Sequence, residues 1–197
     1  MQIIIEAYNS NWPARFLIEK EVIASALQPY APAIEHFGST SIIGMDAKPI
    51  IDILVGLNKA DDLDKTVAPM MEAGYTYIRK YEPLWPTRRF FMQLKALDKV
   101  PTIIDVDDNV VIGKDYISLA NIHIIVKDTH DWIRMIAFRN YLRASPLTRE
   151  AYSKVKRQIS KQEFYDMNEY NNAKDGFVKE TERLALEWLY QQTTGNR

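Results

Sequence analysis

Apolar positions alternate with polar ones in short runs over the first two-thirds of the chain and recur at helical spacing over the last third. Short runs rich in β-branched and apolar residues predict strands at residues 2–7, 33–37, 49–56, 75–79, 88–94, 102–106, 110–112 and 121–127. Helical spacing predicts helices after Asn11 and at residues 61–73, 131–144, 146–162 and 168–190. This order of elements predicts an α/β (α+β) fold, in which a mixed sheet has flanking helices and a helical C-terminal extension.

Two local patterns make this prediction more specific. The run at residues 49–56 is apolar except for Asp52, which predicts a buried central strand that presents one carboxylate. The runs at residues 102–106 and 110–112 flank a polar Asp-Asp-Asn turn and predict a β-hairpin. The first pattern matters more for function, because a buried carboxylate is costly unless it has a partner.

Length and composition predict one folded domain. The chain has 197 residues, of which 47% are hydrophobic and 26% are charged. These values are typical of a globular protein, and a chain of this length buries roughly 70% of its unfolded surface. We expect a single domain over residues 1–197, with a sheet-containing core at about 1–128 and a helical extension at about 129–192.

Charge and residue usage exclude several classes of protein. The formal net charge of −1 disfavours electrostatic binding of bulk nucleic acid or of an anionic membrane. The absence of cysteine excludes disulfides, thiolate metal sites and cysteine nucleophiles. The first residues lack the pattern of a signal peptide, and no apolar run approaches the about 18 residues of a membrane span, so we expect a cytoplasmic protein.

The connection after the second predicted strand has the composition of a phosphate-binding turn. Gly38 allows the backbone to approach a ligand closely. Ser39, Thr40 and Ser41 offer hydroxyls and consecutive N–H groups, which together form a candidate anion site. From these residues alone, the alternative is a solvated turn without a ligand.

Two charged residues extend this candidate site. Lys48 would add a positive charge for a phosphate group. Asp52 requires a metal ion, a cation or hydrogen bonds if it is buried, and the alternative places it at the exposed end of its strand. We expect the hydroxyl-rich turn and Asp52 to face a common cavity.

Several segments of the chain resemble the GrpB family, a group placed in the nucleotidyltransferase superfamily. The resemblance is carried by GSTSIIGMDAKPIIDI at residues 38–53, YNSNWPARF at 8–16, Arg89-Phe90-Phe91, NIHIIV at 121–126, AFRNYLRASP at 137–146, and the pair Tyr170 and Lys174. These segments follow the order that the family shows and cover nearly the whole chain. The NIHIIV strand usually has two histidines in this family, whereas this chain has Asn121 and His123.

The resemblance implies a polymerase-β-type nucleotidyltransferase fold with metal-binding carboxylates beside a Gly-Ser loop. Active members of that superfamily hold two Mg²⁺ ions with an Asp-x-Asp/Glu strand and a further acid, and the ions stabilise the attacking and leaving oxygens. In this chain Leu54 occupies the position of the second acid. Asp52 and His123 remain as the implied catalytic pair and as ligands of a single Mg²⁺, with Asp105 and Asp107 as a weaker source of further acids.

Four other residues are predicted at the site in the light of this resemblance. His36 would contact phosphate or orient Asp52, and the guanidinium of Arg89 would bind a triphosphate or a carboxylate. Tyr170 and Lys174 are one helical turn apart and would reach across to the sheet. Each has a structural alternative, as a strand-end residue, a sheet-edge residue or a surface pair.

Two functional hypotheses remain open. The first is a Mg²⁺-dependent enzyme that moves a nucleoside monophosphate onto a small acceptor, in which Ser39 binds phosphate, Asp52 binds the metal, and Lys48 and Arg89 bind charged oxygens. The second is a non-catalytic accessory protein that binds a nucleotide or another phosphorylated small molecule. Leu54 favours the second hypothesis. The occasional fusion of this family to dephospho-coenzyme A kinase is compatible with both.

Overall fold

The computed structural model describes residues 1–96 and 99–194, which form a six-stranded mixed sheet with helices on both faces. The strands are β1 (Ala33–Phe37), β2 (Ile51–Leu57), β3 (Thr76–Ile78), β4 (Arg89–Lys95), β5 (Ile103–Ile104) and β6 (Ile117–Val126). The helices are α1 (Trp12–Ala26), α2 (Val67–Glu72), α3 (His130–Ala144), α4 (Pro146–Ile159), α5 (Met167–Ala173) and α6 (Asp175–Thr194). The strand order is β1-β2-β6-β4-β3-β5, and the predicted mixed α/β class is confirmed.

The register of the central strands places two rows of side chains on one face of the sheet. β2 runs parallel to β6, whereas β1 and β4 run antiparallel to β2 and β6 respectively. The first row consists of Phe37, Asp52, Asn121 and Met92, and the second row consists of Glu35, Leu54, His123 and Phe90. Since alternate residues of a strand share a face, the two rows face the same side and lie about 7 Å apart.

The opposite face of the sheet packs against α1 and α2. Ile53 and Ile122 project from the sheet into this core, and α1 contributes Trp12 and Ile23, which are all buried. Pro13 in the first turn of α1 fits the helix start, where a missing backbone N–H costs nothing. Burial of each large apolar side chain contributes roughly 1.5–3 kcal/mol, so this core fixes the strands on which the site is built.

The face that carries the two rows is covered by α3, α4 and α5. Trp132 of α3 packs with Leu54 and Ile125, and a Cβ added at Gly56 would lie 2.6 Å from the Trp132 ring. Glycine at this position therefore allows α3 to approach the sheet. Among the described helices, none combines the length and the apolarity needed to cross a bilayer.

Residues 2–7 do not form the predicted strand. They make isolated bridges to positions 163 and 47 instead of joining the sheet. Ile3 packs against Phe164 and Tyr170, so the β-branched pattern of this segment reflects burial against the chain just before and within α5.

The predicted hairpin at residues 102–112 is also wrong. β5 pairs in parallel with β3, and Ile112 makes an isolated bridge to Tyr116. The carboxylate of Asp108 accepts a hydrogen bond of 2.7 Å from the backbone N–H of Asp105. Such a local side-chain bond competes with strand pairing and turns the chain away.

Two predicted helices are interrupted. The predicted helix at 168–190 divides into α5 and α6 at Lys174, which has non-ideal helical dihedrals of −103° and −2°. The predicted helix at 61–73 consists of two 3₁₀ turns followed by α2, and Gly74 ends it with the predicted positive φ, 93°. The predicted frayed tail is helical up to Thr194, and its last three residues lie outside the described part of the chain.

Candidate functional site

A cavity of about 260 Å³ lies between the two rows of the sheet and the segments that cover them. Its volume is slightly below the range of about 300–1,000 Å³ that is typical of small-molecule sites. The sheet contributes Phe37, Asp52, Phe90, Met92, Asn121 and His123, and the loop before β2, α4, α5 and the segment before β4 contribute the remaining walls. The cavity therefore brings together segments that are distant in sequence.

Gly38 allows the loop after β1 to approach Asp52. Its φ of 67° lies in the left-handed region, and an added Cβ would overlap the Asp52 carboxylate. Ser39 follows at once and begins a single 3₁₀ turn, so it also lines the cavity. The hydroxyl-rich turn and Asp52 thus share one cavity, as expected from the sequence.

The carboxylate of Asp52 is oriented by β6. Its Oδ1 accepts a hydrogen bond of 2.9 Å from Nδ2 of Asn121, the residue opposite it in the parallel register. Burial raises the pKa of Asp52, whereas the Asn121 bond and the charges of Lys48, Lys174 and Lys156 oppose that rise. Among the described residues that line the cavity, no other carries a carboxylate.

Lys156 of α4 links the hydroxyl turn to the helical layer. Its side chain is buried, and its Nζ donates to Oγ of Ser39 at 3.0 Å and to the backbone carbonyl of Asp46. Both acceptors are uncharged groups. The ammonium is thus held at the cavity wall without a carboxylate directly bonded to it.

Tyr170 of α5 lies between two further lysines. The Nζ atoms of Lys48 and Lys174 lie 4.9 Å and 5.0 Å from the centroid of its ring, within the range of a cation–π interaction. The Tyr170 hydroxyl is buried and has no hydrogen-bond partner among the described residues. Burial raises the pKa of Tyr170 to about 12, so the hydroxyl keeps its proton and is a candidate donor to a ligand.

The three lysines carry more positive charge than the single carboxylate of the cavity, Asp52, can balance. In the described part of the chain, the lysine ion pairs are formed by other lysines, all at the surface. Burial, followed by the charge of Lys174, lowers the pKa of Lys48 to about 7 and that of Lys156 to about 7. Burial also lowers the pKa of Lys174. An anion in the cavity would stabilise all three in the charged form.

The cavity continues along an aromatic wall, which we define as Tyr81, Trp85, Phe90 and His123. The rings of Phe90 and His123 are 4.6 Å apart, and those of Tyr81 and Trp85 are 5.2 Å apart. Arg88 lies behind this wall, with its guanidinium 5.0 Å from the Trp85 ring and Nη1 3.2 Å from Nδ1 of His123. Burial and then the charge of Arg88 lower the pKa of His123, so its ring is neutral and Nδ1 accepts from Arg88.

The structure brings most of the predicted site residues to this cavity. Those that line it are Ser39, Thr40, Lys48, Asp52, His123, Tyr170 and Lys174, and Gly38 adjoins Asp52. The Thr40 hydroxyl, however, donates to the backbone carbonyl of Ile50 at 3.3 Å and lies 3.1 Å from Nε2 of His36. Ser39 is therefore the residue of the turn whose hydroxyl is available to a ligand, and the binding roles remain predictions.

The predictions for His36 and Ser41 are wrong in their geometry. His36 pairs with Ile53 and stacks on Phe16 at 4.7 Å, on the face of the sheet opposite to Asp52. Burial and nearby arginine charges lower the pKa of His36 to about 4, so it is a neutral core residue that donates to Thr40. The Ser41 hydroxyl donates at 2.7 Å to the backbone carbonyl at position 38, which stabilises the turn itself.

The prediction for Arg89 is wrong as well. Its guanidinium pairs with Asp64 and with Glu82 outside the cavity. Strand alternation explains the error, because Arg88 shares a face with Phe90, whereas Arg89 points to the other side. The predicted further acid, Asp105, follows β5, forms an ion pair with Arg79 and does not line the cavity of Asp52.

The donor set around Asp52 does not fit a Mg²⁺ ion held by Asp52 and His123. In the described residues there is no group of three or more histidine and acidic side chains arranged to hold a metal. Nδ1 of His123 accepts from Arg88, and the three lysines place competing positive charge beside Asp52. Leu54, at the position implied for the second acid, is fully buried under Trp132. The local chemistry suits an anion better than a divalent cation.

Three residues that line the cavity were not predicted from the sequence: Lys156, Tyr81 and Trp85. A signal for Lys156 was present, because Tyr152 and Lys156 are one turn apart on the buried side of α4, where a lysine is unexpected. Tyr81 and Trp85 had no such signal, since they lie in a 3₁₀ turn and a loop without periodicity.

Fold and site together define an α/β protein with a lysine-lined cavity on one face of a mixed sheet. The GrpB protein family model matches residues 2–183, and the chain belongs to the GrpB family. A UPF0157 protein of Halalkalibacterium halodurans is 34% identical over 93% of this chain and 82% of its own length. The glutamate-rich protein GrpB of Alkalihalophilus pseudofirmus is 29% identical, with 91% and 93% covered.

Two further comparisons extend this result. The crystal structure of the conserved protein GrpB from Enterococcus faecalis matches with a TM-score of 0.75 and 28% identity, covering 95% of this chain and 99% of that one. A dephospho-CoA kinase of Mycobacterium bovis is 25% identical over 90% of this chain, which corresponds to 44% of the kinase. The similarity to the solved GrpB structure supports the same arrangement of strands and helices in both proteins.

Proposed function

We propose that the chain binds a phosphorylated small molecule in the cavity, with its phosphate among Lys48, Lys156 and Lys174. The observation that carries the proposal is the convergence of three lysines and a single carboxylate on a partly enclosed space. Ser39 and the Tyr170 hydroxyl, which has no partner in residues 1–96 and 99–194, add two neutral donors. Hydrogen bonds from charged and neutral donors together are typical of phosphate sites.

The balance of charge supports this class of ligand. With three lysines protonated and Asp52 ionised, the side chains carry three positive charges and one negative charge, a net charge of +2. A phosphate dianion cancels this sum. Burial makes each contact stronger than it would be in water, and it also makes an unbalanced charge costly.

Titration calorimetry of Lys156→Met with pyrophosphate, AMP, ATP and dephospho-coenzyme A tests the proposal. The last ligand is included because a dephospho-CoA kinase contains a similar segment. We expect the substitution to weaken binding by about 10- to 100-fold, since a hydrogen bond to a charged group contributes roughly 1.5–3 kcal/mol.

Lys154→Met is the matched control, because Lys154 lies on the same helix, is exposed and pairs with Glu150. Its affinity for each ligand should equal that of the native chain. Binding of none of these phosphates by the native chain would overturn the proposal, and so would equal losses in the two variants.

Nucleotidyl transfer onto a small acceptor is the second candidate. It is favoured by the contact of Asp52 with the Gly38 turn and by the Ser39 hydroxyl on the same cavity. The distinguishing variant is Asp52→Asn. Removal of this negative charge should preserve or strengthen phosphate binding, whereas it should abolish a transfer that uses the carboxylate.

The corresponding assay measures pyrophosphate release from ATP, GTP and CTP with a filtered cell extract as the source of acceptors. Parallel reactions contain Mg²⁺ or EDTA, which tests the metal dependence expected from the superfamily resemblance. Release that disappears in Asp52→Asn would support transfer. No release from any nucleotide would exclude transfer and leave the binding proposal in place.

A further inference from the structure

We propose that the aromatic wall binds a nucleobase, so that the ligand is a nucleotide and not a phosphorylated sugar or an aliphatic phosphate. This inference rests on the phosphate site proposed above and specifies what occupies the rest of the same cavity. It is carried by the composition of the wall, by the spacing between the sheet rows of Asp52 and His123, and by the exposure of Trp85.

The wall is a surface of flat rings. Tyr81, Trp85, Phe90 and His123 all line the cavity, and the neighbouring rings are separated by 4.6 to 6.5 Å with tilted or edge-on geometry. Such rings offer π-faces and edges to a further aromatic ring, and base–aromatic stacking tolerates every base because each has a π-face.

The exposure of Trp85 distinguishes this wall from an ordinary core. Phe90 is buried, whereas Trp85 is 38% exposed and lies in the segment before β4. The guanidinium of Arg88 stacks on Trp85 and also donates to His123, which holds the two rings in place. A large aromatic side chain that is fixed from behind and exposed towards a cavity is typical of a ligand-binding surface.

The spacing of the two rows suits a nucleotide. Asp52 and Asn121 mark the row beside the lysines, and Phe90 and His123 mark the row within the aromatic wall. The rows are about 7 Å apart along the strands. This separation is comparable with the span of the ribose that joins a base to its phosphate.

Two amide side chains lie near the mouth on α5. Asn168 and Asn171 both line the cavity and are exposed. An amide offers both donors and an acceptor, which match the edge of a base. An aliphatic phosphate would leave the rings of the wall without a stacking partner.

The test compares nucleoside monophosphates with ribose 5-phosphate, which has the same phosphate and sugar but no base. The native chain and Trp85→Leu are titrated by calorimetry with AMP, GMP, CMP, UMP and ribose 5-phosphate. We expect the native chain to bind at least one nucleotide about tenfold or more tightly than ribose 5-phosphate. Trp85→Leu should lose this advantage and bind ribose 5-phosphate with unchanged affinity.

Two further variants separate stacking from folding. Trp85→Phe keeps an aromatic ring and should retain most of the nucleotide preference. Tyr165→Leu removes an exposed aromatic residue that does not line the cavity and should behave as the native chain does.

The outcomes distinguish this inference from the proposal on which it rests. Equal binding of ribose 5-phosphate and of every nucleotide by the native chain would overturn the nucleobase site and leave the phosphate site standing. Equal weakening of all ligands by Trp85→Leu would also overturn it, because Trp85 would then act on the fold of the site. Failure of all five ligands to bind would overturn the nucleobase site, and failure of pyrophosphate, ATP and dephospho-coenzyme A as well would overturn the phosphate site.

Discussion

At the scale of single residues, Gly38 allows the backbone after β1 to lie directly against the Asp52 carboxylate. Its positive φ disfavours any side chain, and its Cα faces the Asp52 carboxylate at a distance that excludes a Cβ. The same residue directs Ser39 into the cavity. A side chain at position 38 would therefore suffer both a strained backbone and steric overlap with Asp52.

These two effects can be separated with Gly44. Gly44 also has a positive φ, 78°, but an added Cβ there would meet nothing within 4 Å. We expect Gly44→Ala to lower the free energy of unfolding by about 1–2 kcal/mol, the cost of the left-handed backbone alone. Gly38→Ala should cost more than this and should also weaken phosphate binding. Chemical denaturation and calorimetry measure both effects, and equal destabilisation by the two variants would contradict the predicted overlap.

The positions of single side chains were predictable where strand alternation was applied throughout. Alternation in β4 places Arg88 on the same face as Phe90 and Arg89 on the other face. The sequence therefore contained the information needed to choose Arg88 instead of Arg89 as the arginine near the site. The error for His36 has a different cause. Which residues of β1 share a face with Asp52 of β2 depends on the register of the two strands, and a single sequence does not determine that register.

At the scale of elements, the short helix α5 supplies one wall of the cavity. Asn168, Tyr170 and Asn171 line the space from this side. The helix begins at the N-cap Asp166, whose side chain accepts a hydrogen bond of 2.9 Å from the backbone N–H of Glu169. A helix of two turns has little stability of its own, so its cap and its packing determine whether it forms.

We therefore expect Asp166→Ala to weaken ligand binding more than it lowers global stability. Loss of such a cap costs about 0.5–2 kcal/mol, and that loss falls on α5, which carries the Tyr170 hydroxyl. Calorimetry with pyrophosphate and hydrogen exchange of the α5 amides measure the effect. Glu180→Ala on the exposed side of α6 is the control. Unchanged exchange and affinity in Asp166→Ala would show that α5 does not depend on its cap.

The elements themselves were predictable where their pattern was long and regular. The predictions for β1, β4 and α3 agree with the structure to within one residue at every end, because the apolar spacing stops where helix- or strand-breaking residues begin. The N-terminal run was not predictable, since a β-branched segment buried against another loop has the same pattern as a strand.

At the scale of the whole molecule, the cavity assembles charge from distant parts of the chain. Lys48 precedes β2, Lys156 lies in α4 and Lys174 follows α5, and the near-zero net charge of the chain gives no indication of this concentration. A single sequence indicates which residues suit phosphate, but it does not show that three lysines meet at Asp52. The residue types suited to phosphate were therefore predictable from the sequence. The net charge of the cavity was not, because it depends on which residues the fold brings together.

That balance leads to a prediction for the dependence of binding on pH. The pKa values of Lys48 and Lys156, lowered to about 7 by burial, mean that these amines lose protons in the free protein as the pH rises above 7. A bound phosphate favours the protonated amines, so binding above pH 7 must be accompanied by proton uptake. We expect affinity for phosphate ligands to be highest between about pH 6, below which the phosphate itself gains a proton, and pH 7. Above that range it should fall by up to about tenfold per pH unit for each lysine.

Titration of pyrophosphate at pH 7 and pH 8.5, in two buffers with different enthalpies of ionisation, measures the number of protons taken up. The native chain should take up protons at pH 8.5, and Lys156→Met should take up fewer because one of the two titrating amines is absent. Lys154→Met, with an exposed lysine on the same helix, should match the native chain. Equal proton uptake by the native chain and Lys156→Met, or an affinity that is constant from pH 7 to 8.5, would contradict a binding site built on buried lysines.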